Sequence, residues 1–228
     1  MINGLLHILF PNCCLSCDTS LLAEEKYLCL ECLANLPKTN FHLEKNNSVE
    51  RSFWGRVPLQ QAFSYLYFLE EGMTRKLLHN IKYNGDKELA EFLGASYGAQ
   101  LQEQIPDLYF DGILAVPLHI SKFRKRGFNQ SEEFAKGLSN ATGIPNLSHL
   151  TKRNKATDTQ TRKSRIERWQ NVSEIFSVNA ELKNKKHTPH FLLVDDVITT
   201  GATMESFANS IIQSLDCKVS IASIAYAV

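Results

Sequence analysis

The chain has 228 residues, 43% hydrophobic and 21% charged, enough for one sizeable core and a small appendage. Its formal net charge is only +1, so it has no general attraction for polyanions, and a charged partner must be drawn by a local patch. No stretch approaches the roughly 18 apolar residues of a membrane span, and membrane insertion is not expected.

The chain opens on a cysteine-dense head. Five of the six cysteines, Cys13, Cys14, Cys17, Cys29 and Cys32, fall in the first 32 residues, and Cys217 stands alone. The apolar run Leu5 to Phe10 lacks a basic lead and is too short for a secretory signal. The small residues that precede a lipoprotein cysteine are also missing. A cytoplasmic location is therefore expected, where metal ligation is favoured over disulfides. Cys14-Leu-Ser-Cys17 and Cys29-Leu-Glu-Cys32 form two C-x2-C pairs eleven residues apart. Each pair can set two thiolates on one tight turn, and four thiolates suit tetrahedral Zn²⁺. Cys13 offers a competing C-x3-C spacing, and an iron–sulfur cluster or free thiols are the alternatives to zinc. A four-thiolate site has no open position for substrate, so its role is structural. Metal binding would supply folding energy, about 10–16 kcal/mol in zinc-finger peptides, to residues 1–37, which are too few to fold alone.

Residues 38–60 are polar and irregular and read as a linker, or as a hood over the 38–228 domain. Ala62 to Leu69 reads as a strand. Helical patterns follow over about 73–82 and 86–104, where Leu89, Phe92, Leu93, Tyr97 and Leu101 recur at helical spacing. Ile113 to Val116 is a short buried strand, and about 130–140 is a helix that stops near Gly143. Phe191 to Val194 is a second apolar strand, followed by a helix over about 201–215 and a last strand over Val219 to Ala225. Apolar runs of about four residues, each feeding a helix, indicate an α/β fold with a parallel sheet covered on both faces.

The richest segment is Phe191-Leu-Leu-Val-Asp-Asp-Val-Ile-Thr-Thr-Gly-Ala-Thr203. A buried strand ends in Asp195 and Asp196, and a loop of small residues then opens a helix. Ligands dock at the carboxyl ends of parallel strands. Backbone N–H groups at a helix start carry about half a positive charge and attract phosphate. Gly201 lets the backbone approach closely, and paired carboxylates can accept hydrogen bonds from the two vicinal hydroxyls of a ribose. The residues describe a ribose 5-phosphate cradle; a plain threonine N-cap would explain Thr199 or Thr200 but not the whole string. Two basic segments accompany it. Lys122, Arg124, Lys125 and Arg126 place four cations in five residues, suited to a diphosphate or to a solvated charge run. Residues 151–172 hold Lys152, Arg153, Lys155, Arg162, Lys163, Arg165 and Arg168, a pattern of a mobile lid or a nucleic-acid contact. There Trp169 could stack on a base or pack into the core. The seven histidines show no metal-like or catalytic spacing, and Cys217 reads as a small buried hydrophobe.

The string from Leu192 to Thr203 resembles the phosphoribosyl-pyrophosphate (PRPP) motif of type I phosphoribosyltransferases at every fixed position. The resemblance implies that Asp195 and Asp196 hold the ribose hydroxyls. It likewise implies that Val197, Thr199, Thr200, Gly201, Ala202 and Thr203 line the phosphate site. ArgGlyPheAsnGln at 126–130, Gln160 with Arg168 and Asn171, and IleLysTyr at 81–83 resemble, together with the cysteines, the ComF family of proteins associated with DNA uptake. Pro11 ahead of C-x2-C resembles that family's pattern and favours Cys14 over Cys13. By resemblance, Lys122, Arg126 and the 152–171 loop would meet the pyrophosphate of Mg²⁺-bound PRPP, with Asp195, Asp196 and Arg126 as the catalytic set. The acceptor is not implied. A different class of role also follows from the family likeness: a non-catalytic PRPP sensor, or a protein that handles single-stranded DNA beside a DNA-uptake helicase or translocase.

Overall fold

The computed structural model describes residues 12–155, 175–183 and 187–227. Its elements in chain order are α1 (Leu30–Ala34), α2 (Ser48–Ser52), β1 (Ala62–Phe68), α3 (Met73–Tyr83), α4 (Lys87–Gln104) and β2 (Gly112–Ala115). After these come α5 (Ile120–Arg126), α6 (Gln130–Thr142), β3 (Thr151–Arg153), β4 (Phe176–Val178), β5 (His190–Ile198), α7 (Ala202–Leu215) and β6 (Lys218–Ala227). Four strands form one parallel sheet in the order β1-β6-β5-β2, and β3 and β4 form a separate antiparallel pair. The fold is α/β with a parallel sheet, as the spacing of apolar runs implies.

The interior strands owe their length to composition. Phe191 to Val194 and Val219 to Ala225 are buried throughout, as a sheet covered on both faces requires. Two serines tolerate that burial because they satisfy each other: Ser64 and Ser223, register partners on β1 and β6, share a 2.5 Å hydroxyl hydrogen bond. Helices α4 and α6 cross at very short range. A Cβ added to Gly137 would lie 2.0 Å from Glu91 O, and one on Gly94 would lie 2.2 Å from Phe134 O. The missing side chains allow the backbones to touch, and Lys136 seals the crossing with a 2.7 Å ion pair to Glu91.

Three elements differ from the sequence reading. β5 does not stop at Val194: it runs on through both acids to Ile198, pairing Asp195 with Ser223 and Ile198 with Tyr226 on β6. The cationic run 122–126, to which the sequence reading assigned no element, forms the short helix α5, closed by Gly127 at φ 80°. Residues 38–60 hold a 3₁₀ turn, α2 and four buried apolar side chains, Phe41, Val49, Phe53 and Val57. The Asn47 amide nitrogen lies 3.1, 3.0 and 2.8 Å from the carbonyls of Phe41, Glu44 and Ala62, tying this arm to β1. Its apolar residues are single and widely spaced, so no periodicity reveals them.

From β2 the chain moves outward through α6 to a parallel bridge between Ile113 and Asn146. From β5 it moves the other way, through α7 to β6. The connections diverge between these neighbouring strands, so the crevice beyond their carboxyl ends is the topological switch point of the sheet.

Candidate functional site

An open pocket with about 250 Å³ of empty space lies in that crevice, lined by Asp195 and by Val197 to Met204. Asp195, Val197, Thr199, Thr200, Gly201, Ala202 and Thr203, all singled out in the sequence, therefore share one wall. Gly201 is the N-cap of α7 at φ 73°, a left-handed conformation that glycine adopts without strain. No larger residue would fit: its Cβ would stand 2.9 Å from the Phe53 ring. The loop thus presents the first turn of a fourteen-residue helix to the pocket with no side chain in the way, the geometry that attracts a phosphate.

The acid pair is underneath. Ser131, at the start of α6, donates a 2.9 Å hydrogen bond to Asp195 Oδ1, and Lys82 on α3 forms a 2.8 Å ion pair with Asp196. Among the described residues Lys82 is paired with one of the two carboxylates, and the Arg153 charge acts on the other. Burial, and then the neighbouring Asp196 charge, push the Asp195 carboxyl up to about 7. The site therefore favours any ligand that brings hydroxyl donors or positive charge to these oxygens.

Sequence reasoning placed the acids but missed what holds them. Lys82 lay within the IleLysTyr signature at 81–83 without a role, and Ser131 immediately follows ArgGlyPheAsnGln. That signature is a wiring block. The Asn129 amide donates to Val116 O at the end of β2 (3.0 Å), Gln130 Oε1 accepts from Arg126 (3.0 Å), and Ser131 reaches Asp195. Arg126 and Lys122 do not line the pocket wall; both stand on α5, none of whose residues is buried. Arg153, at the end of β3, stacks over Phe176 with 5.4 Å between guanidinium carbon and ring centre. Burial draws its pKa down and the Asp195 charge draws it up. Gln160, Arg162, Lys163, Arg165, Arg168, Trp169 and Asn171 lie outside the described residues.

The four cysteines also come together. The Sγ atoms of Cys14, Cys17, Cys29 and Cys32 lie within 4.8 Å of one another, and Cys17 and Cys29 stand 3.7 Å apart. Four thiolates about 2.3 Å from one tetrahedral ion have sulfur–sulfur edges of about 3.8 Å, so the donor set fits a metal. Cys13, exposed and bridged through its backbone to Ser20, is not in the group. The head is not a free appendage. Tyr27 packs on Phe92 of α4 at 5.3 Å, and Lys76 of α3 donates to Ser16 O at 2.6 Å.

With this geometry in hand, three relatives place the chain. The DNA utilization protein YhgH of Escherichia coli is 26% identical over 197 residues, covering 83% of this chain and 80% of that protein. Competence protein ComFC of Bacillus subtilis is 26% identical over 226 residues, 88% of each. Competence protein F of Haemophilus influenzae is 40% identical over 98 residues, 43% of this chain and 42% of that protein. The chain is similar to competence and DNA-utilization proteins. No family model matches it. Among solved structures, an adenine phosphoribosyltransferase from Saccharomyces cerevisiae superposes with a TM-score of 0.37 at 16% identity, covering 61% of this chain and 69% of that enzyme. Among the described residues, no helix is long and apolar enough to cross a membrane.

The acid pair makes the site costly without ligand. A carboxyl with a folded pKa above its unfolded value holds its proton more tightly in the native state. Its contribution to stability is full at acid pH and is lost as pH rises from about 4 through about 7. Asp195→Asn should therefore raise Tm of the ligand-free protein by about 2–4 °C at pH 8, the shift that ~1 kcal/mol gives in a chain of this size. The gain should shrink toward pH 4; a thermal-melt series in which it is constant or reversed would contradict this.

Proposed function

We propose that this protein binds PRPP in the switch-point pocket and transfers its ribose 5-phosphate to an acceptor, releasing pyrophosphate. The observation that carries this reading is the acid pair standing directly before a glycine-opened helix start at the one crevice where the sheet's connections diverge. A ribose 5-phosphate needs such a pairing, with acceptors for its hydroxyls at one end and backbone donors for its phosphate at the other.

In this reading Asp195 and Asp196 accept hydrogen bonds from the ribose hydroxyls, which share or displace the Lys82 contact to Asp196. The backbone N–H groups of Thr199 to Thr203 hold the 5-phosphate, and the threonine hydroxyls add donors. Lys122 and Arg126, with the basic residues of 152–168, take the pyrophosphate. Mg²⁺ arriving with PRPP supplies charge neutralisation on that leaving group. The C1–O bond breaks, its electron pair leaves with pyrophosphate, and positive charge grows on the ribose ring until the acceptor's lone pair bonds to C1. The protein's task is to position and to balance charge; no covalent enzyme intermediate is needed.

The cysteine cluster is read as a structural zinc site in a cytoplasmic protein, with the head at 1–37 docked on the 38–228 domain. Its four thiolates leave no position for substrate. Metal analysis should find one zinc per chain, and Cys14→Ser/Cys32→Ser should lose it, with the head becoming protease-sensitive. A metal-free wild-type protein, or a visible iron–sulfur absorbance, contradicts the assignment.

A second reading draws on the names of the relatives: a DNA-handling protein that keeps the pocket as a PRPP sensor and meets single-stranded DNA or an uptake helicase. The exposed helix α5 supports it, with Phe123 40% accessible among Lys122, Arg124 and Lys125. Binding and turnover together separate the two. Mg²⁺–PRPP titrated calorimetrically into wild type should bind in the micromolar range and fail to bind Asp195→Asn/Asp196→Asn, and wild type should release pyrophosphate from PRPP when given its acceptor. PRPP binding without pyrophosphate release across an acceptor screen, together with steeply salt-dependent binding of oligothymidine, would transfer the function to the second reading. Absence of wild-type binding would overturn the PRPP pocket in both.

A further inference from the structure

Arg56 belongs to the arm read from sequence as a linker, yet it reaches the phosphate loop with every nitrogen engaged. Its Nη1 donates to Thr200 O at 2.9 Å and to Ser52 O at 2.8 Å. Nε and Nη2 both donate to Glu205 Oε2, at 2.9 and 2.5 Å. The guanidinium sits 5.8 Å above the Phe53 ring, the same ring that packs against Gly201. Four of its five N–H donors are committed to protein acceptors, so Arg56 is held as a brace on the loop rather than turned toward a ligand.

Its effect is on the peptide between Thr200 and Gly201. A trans peptide is planar, with its C=O and N–H pointing to opposite sides. Holding Thr200 O against the arm turns the Gly201 N–H to the other side of the loop, where the pocket lies. The same guanidinium neutralises Glu205, a carboxylate in the first turn of α7 that would otherwise repel an anion at that helix start. Phe53 then fills the space behind Gly201, so the peptide has no room to flip back.

We propose that Arg56 is a positioning residue that aims the Gly201 N–H at a phosphomonoester and silences the Glu205 charge beside it. The inference rests on the reading of this loop as the 5-phosphate cradle and adds a specificity consequence: the arm tunes affinity for the phosphomonoester end of the ligand alone. The diphosphate end, assigned to α5, does not depend on it.

The test is titration of ribose 5-phosphate and, separately, of Mg²⁺–pyrophosphate into wild type, Arg56→Gln and Glu205→Gln. Loss of a charge-assisted hydrogen bond that fixes a donor should weaken ribose 5-phosphate about 10- to 100-fold in Arg56→Gln, with pyrophosphate affinity unchanged. Glu205→Gln keeps the shape of the anchor and removes only its charge. It should leave ribose 5-phosphate affinity undiminished or raise it by about 3-fold, because Arg56 keeps its bond to Thr200 O and the anion loses a like-charged neighbour. Arg56→Lys, which keeps the charge but not the fixed fork, serves the same comparison as Arg56→Gln if that variant fails to fold. Equal losses for both ligands would mean a general structural role and overturn the proposal. Undiminished ribose 5-phosphate binding in Arg56→Gln, or weakened binding in Glu205→Gln, with wild type binding normally, overturns this inference alone. A wild type that binds no ribose 5-phosphate overturns the cradle reading and this inference together.

Discussion

Everything in the site hangs on the length of one buried strand. β5 is clamped between β2 and β6, yet it outruns β2: the last β2 pair is Ala115 with Val194, while β5 stays in register with β6 to Ile198. The overhang carries Asp195 and Asp196 past the edge of the hydrophobic core and delivers Thr199 to Thr203 into the crevice. Hydrophobic burial of Phe191 to Val194 therefore fixes where polar chemistry happens, because the strand cannot slip by one residue without turning its core face to the wrong side.

Around that overhang the polar contacts divide the labour. Asn129, Gln130 and Ser131 are consecutive residues with three separate tasks: anchoring the end of β2, holding Arg126, and holding Asp195. Lys82 approaches from α3 and balances one of the two carboxylates. Arg56 and Phe53 brace the loop from the arm. Elements from four parts of the chain thus converge on about nine residues of backbone, where burial and the Asp196 charge hold the Asp195 carboxyl well above the ordinary carboxylate range.

The parts of this arrangement that were legible in the sequence are those with local signatures. Apolar runs of four residues announce covered parallel strands, two C-x2-C pairs announce a four-sulfur cluster, and an acid pair followed by ThrThrGly marks the segment that lines the pocket beyond β5. What was not legible is tertiary. Lys82 is 114 positions from its partner Asp196, and Arg56 meets Thr200 across 144; no periodicity encodes such pairs. The arm at 38–60 was read as a linker because its four anchoring side chains sit singly among polar residues, where a binary pattern shows nothing. Residues 122–126 showed no helical signal because the short helix they form buries none of its side chains.

The central claim is that the backbone from Thr199 to Thr203 is a preformed phosphate cradle. The most direct test is amide NMR of ¹⁵N-labelled protein during titration with ribose 5-phosphate. The account predicts that the N–H signals of Thr199 to Thr203 move downfield together and saturate, with Gly201 among the largest shifts, while the amides of the cysteine head stay fixed. Shifts centred on α5 or the head, with the β5–α7 loop unmoved, would contradict it.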